Sequence, residues 1–483
     1  VTISRADDEV QLRPCRELLQ QGKVIEAISC FRDEAQREKK GAASHIGLGE
    51  ALLQADSTNE AIAVLVQARE LDTANAKIFE LLGDAYLKQS IPAAAVQQFE
   101  KATQMDSMSI SAFIKLARTD MKLKQYNPAA AAYRRAIALD TNNVDVYREL
   151  GTLYFKANQY ENAIPLLLGL INRDSAAVKE RSQLVKAYFQ TKRFDDVIPL
   201  GQQILAKDST DTDVIRYLAT SYMRTKDNAN AELLFAALQR RDSMKADDYV
   251  EYAKALKGLD RTVEAITAYE KAVAADSALC EVFYDFGTLY MKNKSYADAV
   301  RLFDMRYECD TSIGYRFACK LNAGLCLMQL KDYTRARAYI LISIDLRPDY
   351  IQGWNALASC YAQMDSASGQ RAAYEKVIEL ISALPESDRA KYATQYEEAY
   401  RMIGVQLLLD KKFEPSIKYL KEALKLNPKD CSLLLWIAQA NHNSNNKEEA
   451  KKYYCKVLEL CPKAKEAKDA QKGLDFLGFS CDE

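Results

Sequence analysis

Histidine is almost missing from this chain. His45 and His442 are the only two among 483 residues, and tryptophan is equally scarce. With so few, no Ser-His-Asp or Cys-His relay can be assembled, and the cysteine spacings match neither a zinc ribbon nor a zinc finger. Neither sign of charge is in excess: 66 basic and 67 acidic residues give a formal charge of −1. That argues against bulk nucleic-acid binding, which needs a basic footprint. No run of about 18 apolar residues occurs, so no segment is expected to span a membrane. Gly47-Leu48-Gly49 is not followed by a phosphate-binding pattern. The carboxylates are scattered at the ends of periodic segments, where Asp-Ser and Asp-Thr read as helix punctuation. These absences leave no expectation of an enzyme, a cofactor or a metal.

Glycine is also sparse, at 17 residues, but five of them are regularly placed. Gly83, Gly151, Gly287, Gly324 and Gly404 occupy one position of a pattern that recurs about every 34 residues. Counted from the start of a unit, apolar or small residues stand at offsets 4, 7, 8 and 11 and again at 20, 24 and 27. One unit reads Phe79, Leu82, Gly83, Tyr86, Ala95, Phe99 and Ala102, and another Tyr147, Leu150, Gly151, Tyr154, Ala163, Leu167 and Leu170. Each half has helical periodicity. Small residues at offsets 8 and 20 let two antiparallel helices approach, and the aromatics fill the space between successive pairs. One such pair cannot bury its apolar face alone, so neighbours must stack.

This spacing and these residues resemble the tetratricopeptide repeat family over almost the whole chain. The resemblance implies an all-α, right-handed superhelical solenoid of antiparallel helix pairs. The family's closing Pro is present as Pro348, Pro428 and Pro462; elsewhere Ser107, Thr141, Ser175, Ser209, Ser243 and Ser277 take its place, hydroxyl side chains expected to cap the next helix. After a tail over residues 1–7, an N-terminal array of about nine repeats is expected over 8–316, starting at Asp8. About four more follow over 317–462, interrupted at 382–396, with a capping helix and tail over 463–483. The insertions before Phe317 and at Ser382–Tyr396 suggest a change of course after about residue 316.

In such a fold the first helices line an inner groove. The family's geometry then places Lys115, Arg118, Arg148, Lys179, Lys186 and Arg216 there, beside Met121, Phe155, Phe189 and Met223. Aromatic and Met side chains desolvate readily and cations orient a partner, so the groove suits an acidic and apolar peptide segment. Lys and aromatic residues at these offsets also cover the seams between helices, whatever the ligand. The lysines that accompany groove asparagines in carboxylate-clamping members are missing beside Asn322 and Asn355. Leu435 and Trp436, with Leu408 and Leu409 near by, form a second apolar spot, over which the C-terminal helix with Leu474, Phe476, Leu477 and Phe479 is expected to fold.

Eleven cysteines remain to be explained. Cys280 with Cys309, and Cys431 with Cys461, stand at the start of a first helix and the end of the second, which an antiparallel hairpin brings together. Cys15 with Cys30 is a third candidate pair, and Cys455 with Cys481 would tie down the tail. Cys326 and Cys360 fall at a small core position, and His45 likewise at a packing position. Bridged cysteines imply an oxidising compartment, and the missing initiator Met implies either trimming or removal of a signal peptide. The expected role is a non-catalytic scaffold for protein partners in an extracytoplasmic, envelope- or secretion-related complex. The alternative is a cytoplasmic adaptor or co-chaperone, which requires free thiols.

Overall fold

The computed structural model describes residues 11–37 and 41–481. The tail expected over 1–7 and the unit start at Asp8 lie outside them. The chain divides into two compact units, Val1–Leu238 and Gln239–Glu483. Among the described residues of both, every regular element is helical. In the first unit, helices Ala76–Lys88 and Pro92–Met105 form one hairpin. Ile110–Lys122 with Tyr126–Leu139, Val144–Lys156 with Tyr160–Arg173, and Val178–Gln190 with Phe194–Lys207 form the next three. In the second unit, Phe283–Lys292 pairs with Tyr296–Cys309, and Cys431–Asn443 with Lys447–Leu460.

The periodic glycines sit where the two helices of a hairpin touch. A Cβ built on Gly83 would lie 2.5 Å from Phe99, and one on Gly49 2.5 Å from Leu65. Phe99 and Leu65 are fully buried, so the close approach is also the core.

Three local expectations need correction. Ser312–Arg316 does not interrupt the array as a separate insertion; it lengthens the first helix of its hairpin, Ile313–Gln329, by about one turn. Within Ser382–Tyr396, a short helix at Glu386–Arg389 and a 3₁₀ turn at Ala390–Tyr392 lead into Ala393–Leu409, so that helix starts before Glu397. The hydroxyls at the hairpin ends are not the caps. Ser107 and Thr141 stand two residues before the N-cap, and the capping is done by Ser109, Asn75, Asn143 and Asp211, whose side chains accept from amides of the first turn. The preceding Asp shapes the turn instead. Asp106, Asp140, Asp174 and Asp208 each accept, through Oδ1, the amide two residues on, at 2.8–2.9 Å.

Asp120 breaks the pattern at offset 11. Tyr86, Tyr154, Tyr188 and Tyr222 hold that position in neighbouring repeats, and the Tyr222 hydroxyl accepts from Gln202 Nε2 at 2.6 Å. Asp120 is 2 % exposed, and its Oδ1 has no hydrogen-bond partner. Burial, reinforced by the Glu100 charge, pushes its carboxyl up to about 6. Because the folded value is raised, the stabilising form is the neutral acid. Its contribution is complete below about pH 4 and is lost as pH rises through about 6. Asp120→Asn is therefore expected to stabilise the protein by about 1–3 kcal/mol at pH 7 and to change little at pH 4. Chemical denaturation of both proteins at both pH values checks this; an equal effect at the two would exclude it.

Candidate functional site

Along the first helices of the Val1–Leu238 unit, the expected groove cations are mostly engaged within the chain. Lys115 Nζ lies 2.7 Å from Glu80 and 2.6 Å from Asp84, both on the preceding first helix. Burial alone would lower the lysine's affinity for its proton, but the two carboxylates outweigh it and raise the pKa. Glu80 is correspondingly lowered: burial opposes its charge, and Lys115 overcomes that. Asp84, in contrast, is raised, because burial exceeds what Lys115 returns. Arg118 reaches forward to Glu149 through two nitrogens, at 2.6 and 3.0 Å, and the Tyr133 hydroxyl donates to the same carboxylate at 2.5 Å. The shared carboxylate raises the pKa of Arg118 by hydrogen bonding, while burial and Glu149 together raise that of the Tyr133 phenol.

Arg148 is shared among Asp145 at 3.1 Å, Asp174 at 2.6 Å and Glu180 at 3.3 Å. Arg216 lies 2.8 Å from Asp213. Several of these pairs join one hairpin to the next, so they form a ladder along the face. Each half-exposed rung is worth about 0.2–1 kcal/mol, and their larger effect is to fix where each side chain points. Lys186 instead lies over the Phe155 ring, 5.6 Å from its centre, and Lys179 is exposed.

The apolar members are half-buried. Phe155 meets Tyr160 edge-on at 5.7 Å, and Phe189 contacts Tyr217 at 4.9 Å and Phe194 at 5.8 Å. Met223 is likewise half-buried. Met121 lines a cleft of about 860 Å³ with Tyr126, Tyr133, Leu153, Arg118 and Arg148. Lys122, Lys124 and Lys156 line it as well. The cleft takes its residues from the first helices of two adjacent hairpins, the turns that end them and the second helix Tyr126–Leu139 between them, so the stacking itself creates it. Of these lysines, Lys124 was not anticipated from sequence; the signal available was a Lys recurring at one turn position, as Lys124, Lys192 and Lys226.

In the second unit, Leu435 is buried, in one core cluster with Leu474 of the C-terminal helix Lys465–Leu477; Trp436, Leu477 and Phe479 pack against that cluster. Phe476 remains 81 % exposed, its ring 5.3 Å from that of His442. His45 is half-buried, with Nδ1 2.9 Å from the Gly41 carbonyl. Asn322 donates to the Tyr284 hydroxyl at 3.2 Å, whereas Asn355 Oδ1 is buried without a partner.

Four cysteine pairs stand at disulfide distance. The Cα–Cα separations are 5.5 Å for Cys15–Cys30, 5.9 Å for Cys280–Cys309, 6.4 Å for Cys431–Cys461 and 5.6 Å for Cys455–Cys481. Cys319, Cys326 and Cys360 are single and buried, and burial pushes the first two thiols up to about 12 and about 11. Among the described residues, no group of His, Cys, Asp or Glu is arranged to hold a metal, and no helix is long and apolar enough to cross a membrane.

Stacked hairpins of this period agree with the family profiles. Profiles described as TPR repeat or tetratricopeptide repeat match residues 16–75, 117–158, 318–350 and 432–463, in both units. The chain carries tetratricopeptide repeats. The chain also matches solved structures. One is YrrB, a TPR protein described with an unusual peptide-binding site: 18 % identity, TM-score 0.34, covering 38 % of this chain and 95 % of that one. Another is the C-terminal part of a TPR repeat-containing protein from Cytophaga hutchinsonii: 17 % identity, TM-score 0.41, covering 60 % and 98 %. The APC/C hetero-tetramer Cut9-Hcn1 gives 15 % identity and TM-score 0.32, covering 98 % and 97 %. No curated protein matches the chain significantly. Tetratricopeptide-repeat proteins bind peptides or protein subunits, so this chain has the fold of a protein-interaction scaffold.

Proposed function

We infer that this protein is a non-catalytic scaffold that holds protein partners on the face formed by its first helices, as a subunit or assembly factor of a larger complex. The observation carrying this reading is the row Met121, Phe155, Phe189 and Met223, half-buried beside an ion-paired ladder that fixes the face before any partner arrives. A preformed surface loses little conformational freedom on binding. The compartment we propose is extracytoplasmic and oxidising, in an envelope- or secretion-related assembly. Its support is the division of the cysteines: eight stand in pairs at disulfide distance, and the other three are buried where burial disfavours the reactive thiolate.

Two measurements test the proposal. Affinity capture with cross-linking from the native source is expected to give cross-links concentrated on first helices; cross-links confined to second helices would refute the assignment of the face. Peptide mapping without reductant is expected to recover the four cysteine pairs as linked peptides. Eight free thiols would overturn the compartment and favour a cytoplasmic adaptor.

A further inference from the structure

Lysine occupies a left-handed backbone position at the end of three first helices in the Val1–Leu238 unit: Lys124 at φ 60°, Lys192 at 60° and Lys226 at 64°. Each is the left-handed residue of a Schellman turn. Gln125 N–H donates to the Asp120 carbonyl at 2.9 Å, Arg193 N–H to Tyr188 at 2.9 Å, and Asp227 N–H to Tyr222 at 2.8 Å. Glycine takes this conformation without steric penalty, and asparagine tolerates it; lysine has no such advantage.

Their side chains do nothing visible for the fold. Lys122, Lys124, Lys156, Lys192 and Lys226 are exposed, and among the described residues none of their ammonium groups makes a hydrogen bond or ion pair. That separates them from Lys115, Arg118, Arg148 and Arg216, which carboxylates already occupy. The aspartates at the other end of the hairpins also have a local task, shaping the turn. Backbone strain kept at positions whose side chains are idle in the folded chain points to a task outside it. Three of these lysines, Lys122, Lys124 and Lys156, line the cleft of about 860 Å³ whose apolar lining includes Met121, Leu153 and the half-exposed Tyr126.

We propose that this lysine edge and the adjoining cleft dock an acidic protein segment carrying one apolar anchor side chain. The anchor enters the cleft against Met121 and Leu153, and the flanking carboxylates pair with the unoccupied lysines. The assignment rests on the scaffold reading and moves the recognition charge from the middle of the first helices to their ends. A protein segment fits better than an anionic lipid surface, because the lysines flank a concavity that a planar headgroup layer would leave empty.

The test uses the whole protein and a short labelled peptide of alternating Asp and Glu around one Phe, followed by fluorescence anisotropy. Binding should weaken steeply with salt, and replacing the Phe by Ser should weaken it further. Lys122→Gln, Lys124→Gly and Lys156→Gln together should lower affinity roughly tenfold, a loss of about 1.4 kcal/mol. Lys124→Gly alone should raise the melting temperature while weakening binding; these opposite signs cannot come from partial unfolding. Unchanged affinity in the triple variant overturns the lysine edge and leaves the scaffold reading standing, since that reading is tested separately by cross-linking in the native source. Lysine-dependent binding to phosphatidylglycerol vesicles, with none to the peptide, overturns the choice of a protein segment.

Discussion

Reduction of the four cysteine pairs is expected to loosen this protein at its bridged hairpins rather than to weaken it evenly. Each pair closes a local loop, with sequence separations of 15, 29, 30 and 26 residues. Cross-linking loops of this size restricts the unfolded chain and stabilises by about 3–4 kcal/mol each. Where that stabilisation falls matters more than its sum. A stack of repeats is held by intrinsic repeat stabilities and nearest-neighbour interfaces, so a hairpin that loses its cross-link opens locally. Cys15–Cys30 joins helices Arg13–Gln20 and Val24–Arg37. Cys431–Cys461 closes the hairpin of Cys431–Asn443 with Lys447–Leu460, and Cys455–Cys481 ties the segment after Lys465–Leu477 back to it. Hydrogen exchange with and without reductant should therefore show loss of protection over Arg13–Arg37 and Cys431–Leu477, with little change over Ile110–Lys207. Uniform loss, or none, would show that the bridges are not what holds these hairpins.

Gly83→Ala is expected to destabilise by about 1–3 kcal/mol, whereas Gly151→Ala, at the same offset of another repeat, should stabilise by about 0.5–1 kcal/mol. The difference lies in what stands opposite. At Gly83 an added methyl would lie 2.5 Å from Phe99 Cε1, and Phe99 is fully buried, so its ring has nowhere to retreat. At Gly151 the nearest atom is Leu167 Cδ2 at 3.4 Å, an ordinary contact, and the substitution removes only glycine's excess freedom within a helix. Thermal or denaturant unfolding of the two variants checks the sign at each. Equal destabilisation would mean that the offset, rather than the facing side chain, sets the requirement.

The glycine pattern also marks where sequence reading is strong. Offsets 8 and 20 report a contact within one hairpin, so Gly83 and Ala95 are legible from spacing alone, and so are hairpin mouths such as Cys280 and Cys309. Relations between hairpins are less legible. Lys115 meets Asp84 and Arg118 meets Glu149, each across 31 residues, and Arg148 meets Glu180 of the next hairpin. A stripe of basic residues read along the helices therefore looked like a charged groove when much of it is a set of ion pairs. The left-handed lysines were hidden for another reason: Lys124 sits in a turn whose handedness depends on backbone angles that composition does not reveal. Asp120 was visible as a polar residue among tyrosines, but its unpartnered oxygen becomes apparent only once burial is known.

The arrangement of the cysteines bears on how the chain is made. Cys15 with Cys30, and Cys280 with Cys309, have no other cysteine between them in the sequence, so joining neighbours in sequence closes each correct pair. Cys431, Cys455, Cys461 and Cys481 interleave, so joining neighbours there would link Cys431 to Cys455, or Cys360 to Cys431, and produce a mispair. Correct pairing there must wait until the last hairpin has formed or must be reached by exchange. A disulfide isomerase is thus needed most over 431–481, where the pairs interleave, and the yield of correctly closed protein would be decided there.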